Sequence, residues 1–130
     1  PLVIKGLLRG DDARRAVELG AAGVVVSNHG GRQLDSAITG LRALPEVAEA
    51  VGGRATVMMD GGIRRGTDIL KAIALGAAAV MVGRPVLWGL AVDGEAGAHR
   101  VLELLRAEFD LAMGLAGAPG VVDITRDLVA

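Results

Sequence analysis

The sequence contains no cysteine, so disulfide frameworks, thiolate metal centres and cysteine nucleophiles are excluded at once. Aromatic side chains are nearly as scarce. One Phe, one Trp and no Tyr leave nothing on which nucleobases could stack in series. A balance of 14 basic against 15 acidic residues, for a formal net charge of −1, gives no long-range attraction to nucleic acid or an anionic membrane. No apolar run reaches the roughly 18 residues of a membrane-crossing helix, and the opening Pro1–Gly6 has neither the basic head nor the cleavage site of a secretory leader. The expected compartment is the cytoplasm, and a start without Met suggests an interior fragment or a processed piece. Length is limiting as well: 130 residues suffice for one domain but not for a complete eight-stranded α/β barrel of roughly 250.

What the chain does have is glycine, 20 residues of it, within a composition that is 52% hydrophobic and able to fill a core. The glycines separate short apolar runs from Ala/Leu-rich stretches. Strands are expected at Leu2–Lys5, Gly23–Ser27, Thr56–Asp60 and Ala79–Val82. None shows polar alternation, the pattern of a parallel sheet covered on both faces. Helices are expected at Asp11–Leu19, with two leading acids suited to the helix dipole, at Thr67–Leu75 with Thr67 as N-cap, and over a shorter span, Pro45–Val51. A fourth, Ala98–Met113, lines up Ala98, Leu102, Leu105, Phe109 and Ala112 on one face.

The chain also resembles itself. At an offset of about 56 residues Gly6, Arg9, Gly10, Asp12, Leu19, Gly20 and Ala21 meet Gly62, Arg65, Gly66, Asp68, Leu75, Gly76 and Ala77. Each repeat holds two βα units, as in a barrel assembled from equivalent modules.

In parallel α/β folds the chemistry gathers where strands end, and the polar clusters of this sequence fall at such places. Lys5 closes the first strand, Ser27-Asn28-His29-Gly30-Gly31-Arg32 the second, Asp60-Gly61-Gly62-Ile63-Arg64 the third and Gly83-Arg84 the fourth. The last two suit a phosphate site: glycines allow close backbone approach, and Arg64 and Arg84 can fork onto phosphate oxygens. Alternatively Asp60 pairs with Arg64 to close a turn. His29 could act as a general base, with Arg32 clamping a carboxylate, which would suit a 2-hydroxy acid; or Arg32 pairs with Asp35 on the surface. Lys5 needs an anionic neighbour, either a carboxylate from a segment outside this chain or the electron-rich end of a reduced cofactor. His99 reads as a solvated surface residue, Met58 and Met59 as core, and Trp88 as packing for the last helix, without a chemical role. Nothing in the sequence calls for a metal.

Lys5-Gly6, the string Ser27-Asn28-His29-Gly30-Gly31-Arg32-Gln33-Leu34-Asp35, Asp60-Gly61-Gly62-Ile63-Arg64 and Gly83-Arg84-Pro85 together resemble the FMN-dependent α-hydroxy-acid dehydrogenases and oxidases, a family that includes glycolate and lactate oxidases. The likeness covers nearly the whole chain. Other flavin barrels, such as type 2 isopentenyl-diphosphate isomerase or IMP dehydrogenase-like enzymes, share the glycine-rich phosphate loops but not the SNHGGRQLD string. The resemblance implies that residues 1–130 form the C-terminal half of a (β/α)₈ barrel, four βα units plus a terminal helix.

It further implies oxidation of a small L-2-hydroxy acid to the 2-oxo acid, with FMN taking two electrons, His29 as base and Arg32 as carboxylate ligand. Lys5 would stand at the flavin pyrimidine edge, Ser27 against the flavin ring, and Asp60, Gly61, Gly62, Ile63, Arg64, Gly83 and Arg84 along the ribityl phosphate. The family's first half supplies substrate-binding tyrosines and an aspartate that orients the histidine, so this chain alone is expected to be inactive. Its expected partner is the barrel's N-terminal half or a second copy of itself, in a homo-oligomer. The alternative is a non-catalytic FMN- or phosphate-binding half-barrel that assembles with a partner chain.

Overall fold

The computed structural model describes residues 1–129. Strands β1 (Val3–Leu7), β2 (Gly23–Val26), β3 (Thr56–Asp60) and β4 (Ala79–Met81) alternate with helices α1 (Gly10–Glu18), α2 (Gly40–Val51), α3 (Gly66–Ala74) and α4 (Arg84–Ala116). The four strands lie side by side in sequence order, every pair parallel. This is part of an α/β barrel, as the sequence implied.

The helices cover one face of the sheet. Val24, Val26, Val57 and Met59 point into a core closed by Ala13, Leu44, Val47 and Val51. The other face is open, and the expectation of strands covered on both sides holds only for β2, all four of whose residues are buried. Val3 is 44% exposed on β1 and Met81 42% on β4, because neither outer strand has a neighbour beyond it. Met59 is core, whereas Met58 on the open face is half-buried.

The element boundaries differ from the sequence expectation for identifiable reasons. β1 starts one residue later and runs on to Leu7, past a bulge at Gly6, whose φ of +101° is open mainly to glycine. α2 begins five residues before Pro45, so that proline sits inside the helix and forgoes one backbone bond. α3 starts at Gly66 with Arg65, not Thr67, at its N-cap. α4 is one long element broken at Asp93 and Gly94, where the backbone leaves helical geometry. The two arms fold back until Gly89 and Gly97 touch backbone to backbone, a contact that no side chain at either position would permit.

The internal repeat is built into the backbone. Gly20 and Gly76 end α1 and α3 with φ of +96° and +107°, and the next residues close the same turn, Ala21 N–H on Ala16 and Ala77 N–H on Ala72, both at 3.0 Å. The first amide of each of these helices is held by a glutamate from the following helix: Gly10 N–H donates to Glu46 at 2.8 Å and Gly66 N–H to Glu108 at 2.9 Å.

Glu108 also accepts from Arg65 Nε at 2.9 Å. The Gly66 amide, and after it the Arg65 guanidinium, hold the Glu108 carboxyl below the ordinary range. A carboxyl depressed on folding contributes stability that is complete above its unfolded pKa and is lost as pH falls through the folded value. Glu108→Gln is therefore expected to flatten the acid limb of the Tm–pH curve relative to the parent. Thermal melts between about pH 3 and pH 7 check this, since that window spans the carboxylate range.

Candidate functional site

At the C-terminal ends of the strands a groove of about 230 Å³ brings together Lys5, His29, Arg32, Asp60, Arg64 and Arg84, with Gly61, Gly62, Ile63 and Gly83 along its wall. Ten of the eleven residues singled out from sequence line this groove, and the eleventh, Ser27, lies directly beneath Lys5. Its charge is lopsided. Four cationic side chains face one carboxylate in a chain whose net charge is −1, which gives the groove a local excess of positive charge.

Lys5 ties three strands together. Its ammonium lies 2.9 Å from Asp60 Oδ2 and donates to Ser27 Oγ at 3.1 Å, reaching across β2 to the end of β3. The anion that Lys5 requires thus comes from within this chain, so no outside carboxylate is needed. The same contact corrects the pairing considered for Asp60, whose partner is Lys5 and not Arg64. The second Asp60 oxygen, Oδ1, is buried and has no hydrogen-bond partner, an acceptor that lacks a donor.

Ser27 is 1% exposed, and its hydroxyl oxygen also receives the His29 backbone N–H at 3.0 Å. That bond helps hold a sharp turn. His29, Gly30 and Gly31 all have positive φ, between +59° and +72°, a region uncommon for a residue with a Cβ but several-fold enriched in histidine. Asn28 completes the clamp, accepting from Gly31 N–H at 3.2 Å and donating to the Ile38 carbonyl at 3.3 Å. The result is an exposed imidazole on a strained, braced loop. Asn28 lies inside the motif yet received no role from sequence; an Asx residue before a glycine pair was the available signal.

The arginines are differently engaged. Arg84 reaches back from the start of α4 to donate to the Gly30 carbonyl at 3.0 Å, linking the end of β4 to the histidine loop. Arg64 donates to the Ile63 carbonyl at 2.8 Å and lies over the Trp88 ring, 4.9 Å from its centroid. Trp88 is 54% exposed and shares a hollow with Val101, Leu104 and Leu105 of the later part of α4. Among the described residues Arg32, Arg64 and Arg84 have no carboxylate within ion-pair distance, and Arg32 does not pair with Asp35. His99 lies outside the groove, exposed and 3.6 Å from Glu103.

Comparison with known proteins follows the same lines. The family model described as FMN-dependent dehydrogenase matches residues 1–130. The chain is 64% identical over 124 residues to an L-lactate oxidase from a Nostoc species, covering 95% of this chain and 34% of that protein. It is 59% identical to a peroxisomal (S)-2-hydroxy-acid oxidase of Oryza sativa subsp. japonica, covering 99% of this chain and 35% of the relative. A crystal structure of mandelate oxidase with (S)-2-phenylpropionate superposes with a TM-score of 0.94 at 57% identity, over 97% of this chain and 38% of the other. The chain thus spans about a third of the length of the curated relatives it matches.

Proposed function

The chain belongs to the FMN-dependent dehydrogenase family, and on that premise we propose that it forms the cofactor-holding, base-bearing portion of an oxidoreductase that converts a small L-2-hydroxy acid to its 2-oxo acid. The observation that carries this reading is the single groove in which an exposed histidine and an unpaired arginine stand beside two further arginines and a lysine. FMN, the cofactor of the family, accepts two electrons when bound.

The residues present suit that group. Arg64 and Arg84, free of carboxylates, provide charge for a phosphate. Gly61 and Gly62, at φ of +85° and +82°, bring backbone close to whatever lies in the groove. The orphaned Asp60 Oδ1 asks for a donor such as a ribityl hydroxyl. Lys5 places positive charge beside Ser27, where negative charge on a reduced ring would be stabilised.

The substrate is handled by the other end. Arg32 holds the carboxylate through two parallel N–H bonds, which fixes the orientation of the neighbouring carbon. His29 takes a proton from that substrate at a ring nitrogen. The wall opposite them comes from outside this chain, since β1 and β4 each present an unpaired edge. We assign that wall to the N-terminal half of the barrel or to a second copy of the chain, in a homo-oligomer; light scattering that finds a stable, folded monomer of this chain alone would overturn the assignment. The proposed compartment is the cytoplasm, although the rice relative is named peroxisomal; among the described residues no helix is long and apolar enough to cross a membrane.

The test is to add FMN to the protein with its complete barrel, follow quenching of flavin fluorescence, and then add a 2-hydroxy acid without oxygen. Quenching followed by bleaching of the yellow colour is expected. Quenching without bleaching would support a binding module instead. Arg64→Ala and Arg84→Ala are each expected to weaken FMN retention by about 1.5–3 kcal/mol, the worth of a hydrogen bond to a charged group, as read from the FMN dissociation constant.

A further inference from the structure

Arg64 lies between two hollows. One is the groove already described; the other is a cleft of about 270 Å³ formed by the two arms of α4, with Pro85 and Trp88 on one arm and Val101, Leu104 and Leu105 on the other. The guanidinium sits over the indole 4.9 Å from its centroid, while one of its nitrogens donates to the Ile63 carbonyl. Those two contacts define its direction. A free arginine side chain explores many rotamers, and each that is lost on binding lowers affinity. A guanidinium stacked on an aromatic face has already given up much of that freedom, and it keeps its in-plane N–H donors available.

Resting on the phosphate-binding role proposed for Arg64, we infer that Trp88 is a positioning residue: its indole face holds the Arg64 guanidinium oriented toward the groove, so that affinity for the phosphorylated cofactor depends on a side chain outside it. Trp88 is the sole tryptophan of the chain and is absent from the groove lining. The bend at Asp93 and Gly94 contributes to the arrangement by closing the second arm of α4 against the cleft that Trp88 lines.

The experiment compares two flavins on the apoprotein with its complete barrel, FMN and riboflavin, which differ by the phosphate. Trp88→Leu removes the π face but keeps apolar bulk, and is expected to weaken FMN about two- to fivefold, the range for an exposed cation–π contact, with riboflavin unchanged. Trp88→Phe restores most of the difference because it keeps a ring. In an Arg64→Ala background Trp88→Leu has no further effect on FMN, since the two residues act as one unit.

Equal weakening of both flavins by Trp88→Leu and Trp88→Phe would reduce Trp88 to a structural residue and overturn the inference. So would an undiminished Trp88→Leu effect in the Arg64→Ala background. If Arg64→Ala itself binds FMN as the parent does, the phosphate role of Arg64 fails, and this inference with it. If Arg64→Ala weakens FMN and Trp88→Leu does not, the role of Trp88 alone fails.

Discussion

Replacing His29 with Ala, in the protein with its complete barrel, is expected to slow flavin reduction by a 2-hydroxy acid by about 10²- to 10⁴-fold, the usual worth of a positioned general base, while FMN stays bound. The groove explains the separation. His29 belongs to the loop after β2, whereas the residues proposed to hold the phosphate, Arg64 and Arg84, belong to the loops after β3 and β4. His29 also stands at φ +59°, where alanine is less comfortable, so a collapsed loop could imitate lost chemistry. His29→Asn provides the control, because asparagine tolerates the left-handed region and keeps the backbone N–H that donates to Ser27 Oγ. Both variants should lose reduction in anaerobic stopped-flow measurements, and both should keep the yellow colour after desalting. Reduction at the parent rate in His29→Asn would remove the imidazole from the mechanism.

A large stability effect is expected at the start of α3, just outside the groove. A Cβ at Gly66 would overlap the backbone of Glu108 and Phe109 in α4, and neither can withdraw, because Glu108 is bonded to the Gly66 amide and to Arg65. Gly66→Ala should therefore cost about 3 kcal/mol, the upper end for overpacking a tight contact, despite the gain in helix propensity that alanine usually brings. Gly53→Ala is the comparison: its Cβ meets nothing within 4 Å, and at φ +73° it should cost roughly 1–2 kcal/mol through backbone strain alone. Urea unfolding midpoints for the two variants measure the difference, and equal losses would show that the α3–α4 contact is looser than described.

Much of this arrangement was legible in the sequence because the signals were local. Apolar runs bounded by glycine mark the four strands, and the rule that polar groups collect at strand ends brings Lys5, His29, Arg32, Asp60, Arg64 and Arg84 together. What escaped was non-local. Lys5 and Asp60 meet across an intervening strand, and no spacing rule links residues on strands that are not neighbours. α1 and α3 each start one residue before the local signals indicate for a similar reason: Glu46 and Glu108, each on the following helix, receive the first amides, whereas capping rules look only a few residues away. The stacking of Arg64 on Trp88 is invisible in the sequence because a lone aromatic carries no signature of the cation resting on it. The bend in α4 could have been suspected from Asp93-Gly94, a turn-forming pair, inside an otherwise helical stretch.

The glutamate clasp has a bearing on ancestry. A distant carboxylate closing over the first amide of a helix is not something that two unrelated βαβα segments would each come upon readily, yet Glu46 over Gly10 and Glu108 over Gly66 do the same thing in successive segments. Duplication of one quarter-barrel would account for both, with the clasping glutamate set six residues further along in the second copy. On that view the joint at Gly52 and Gly53, just after the first copy closes its own clasp, is the natural crossover point for shuffling such quarters between related barrels, since a cut there separates no carboxylate from the amide it guards.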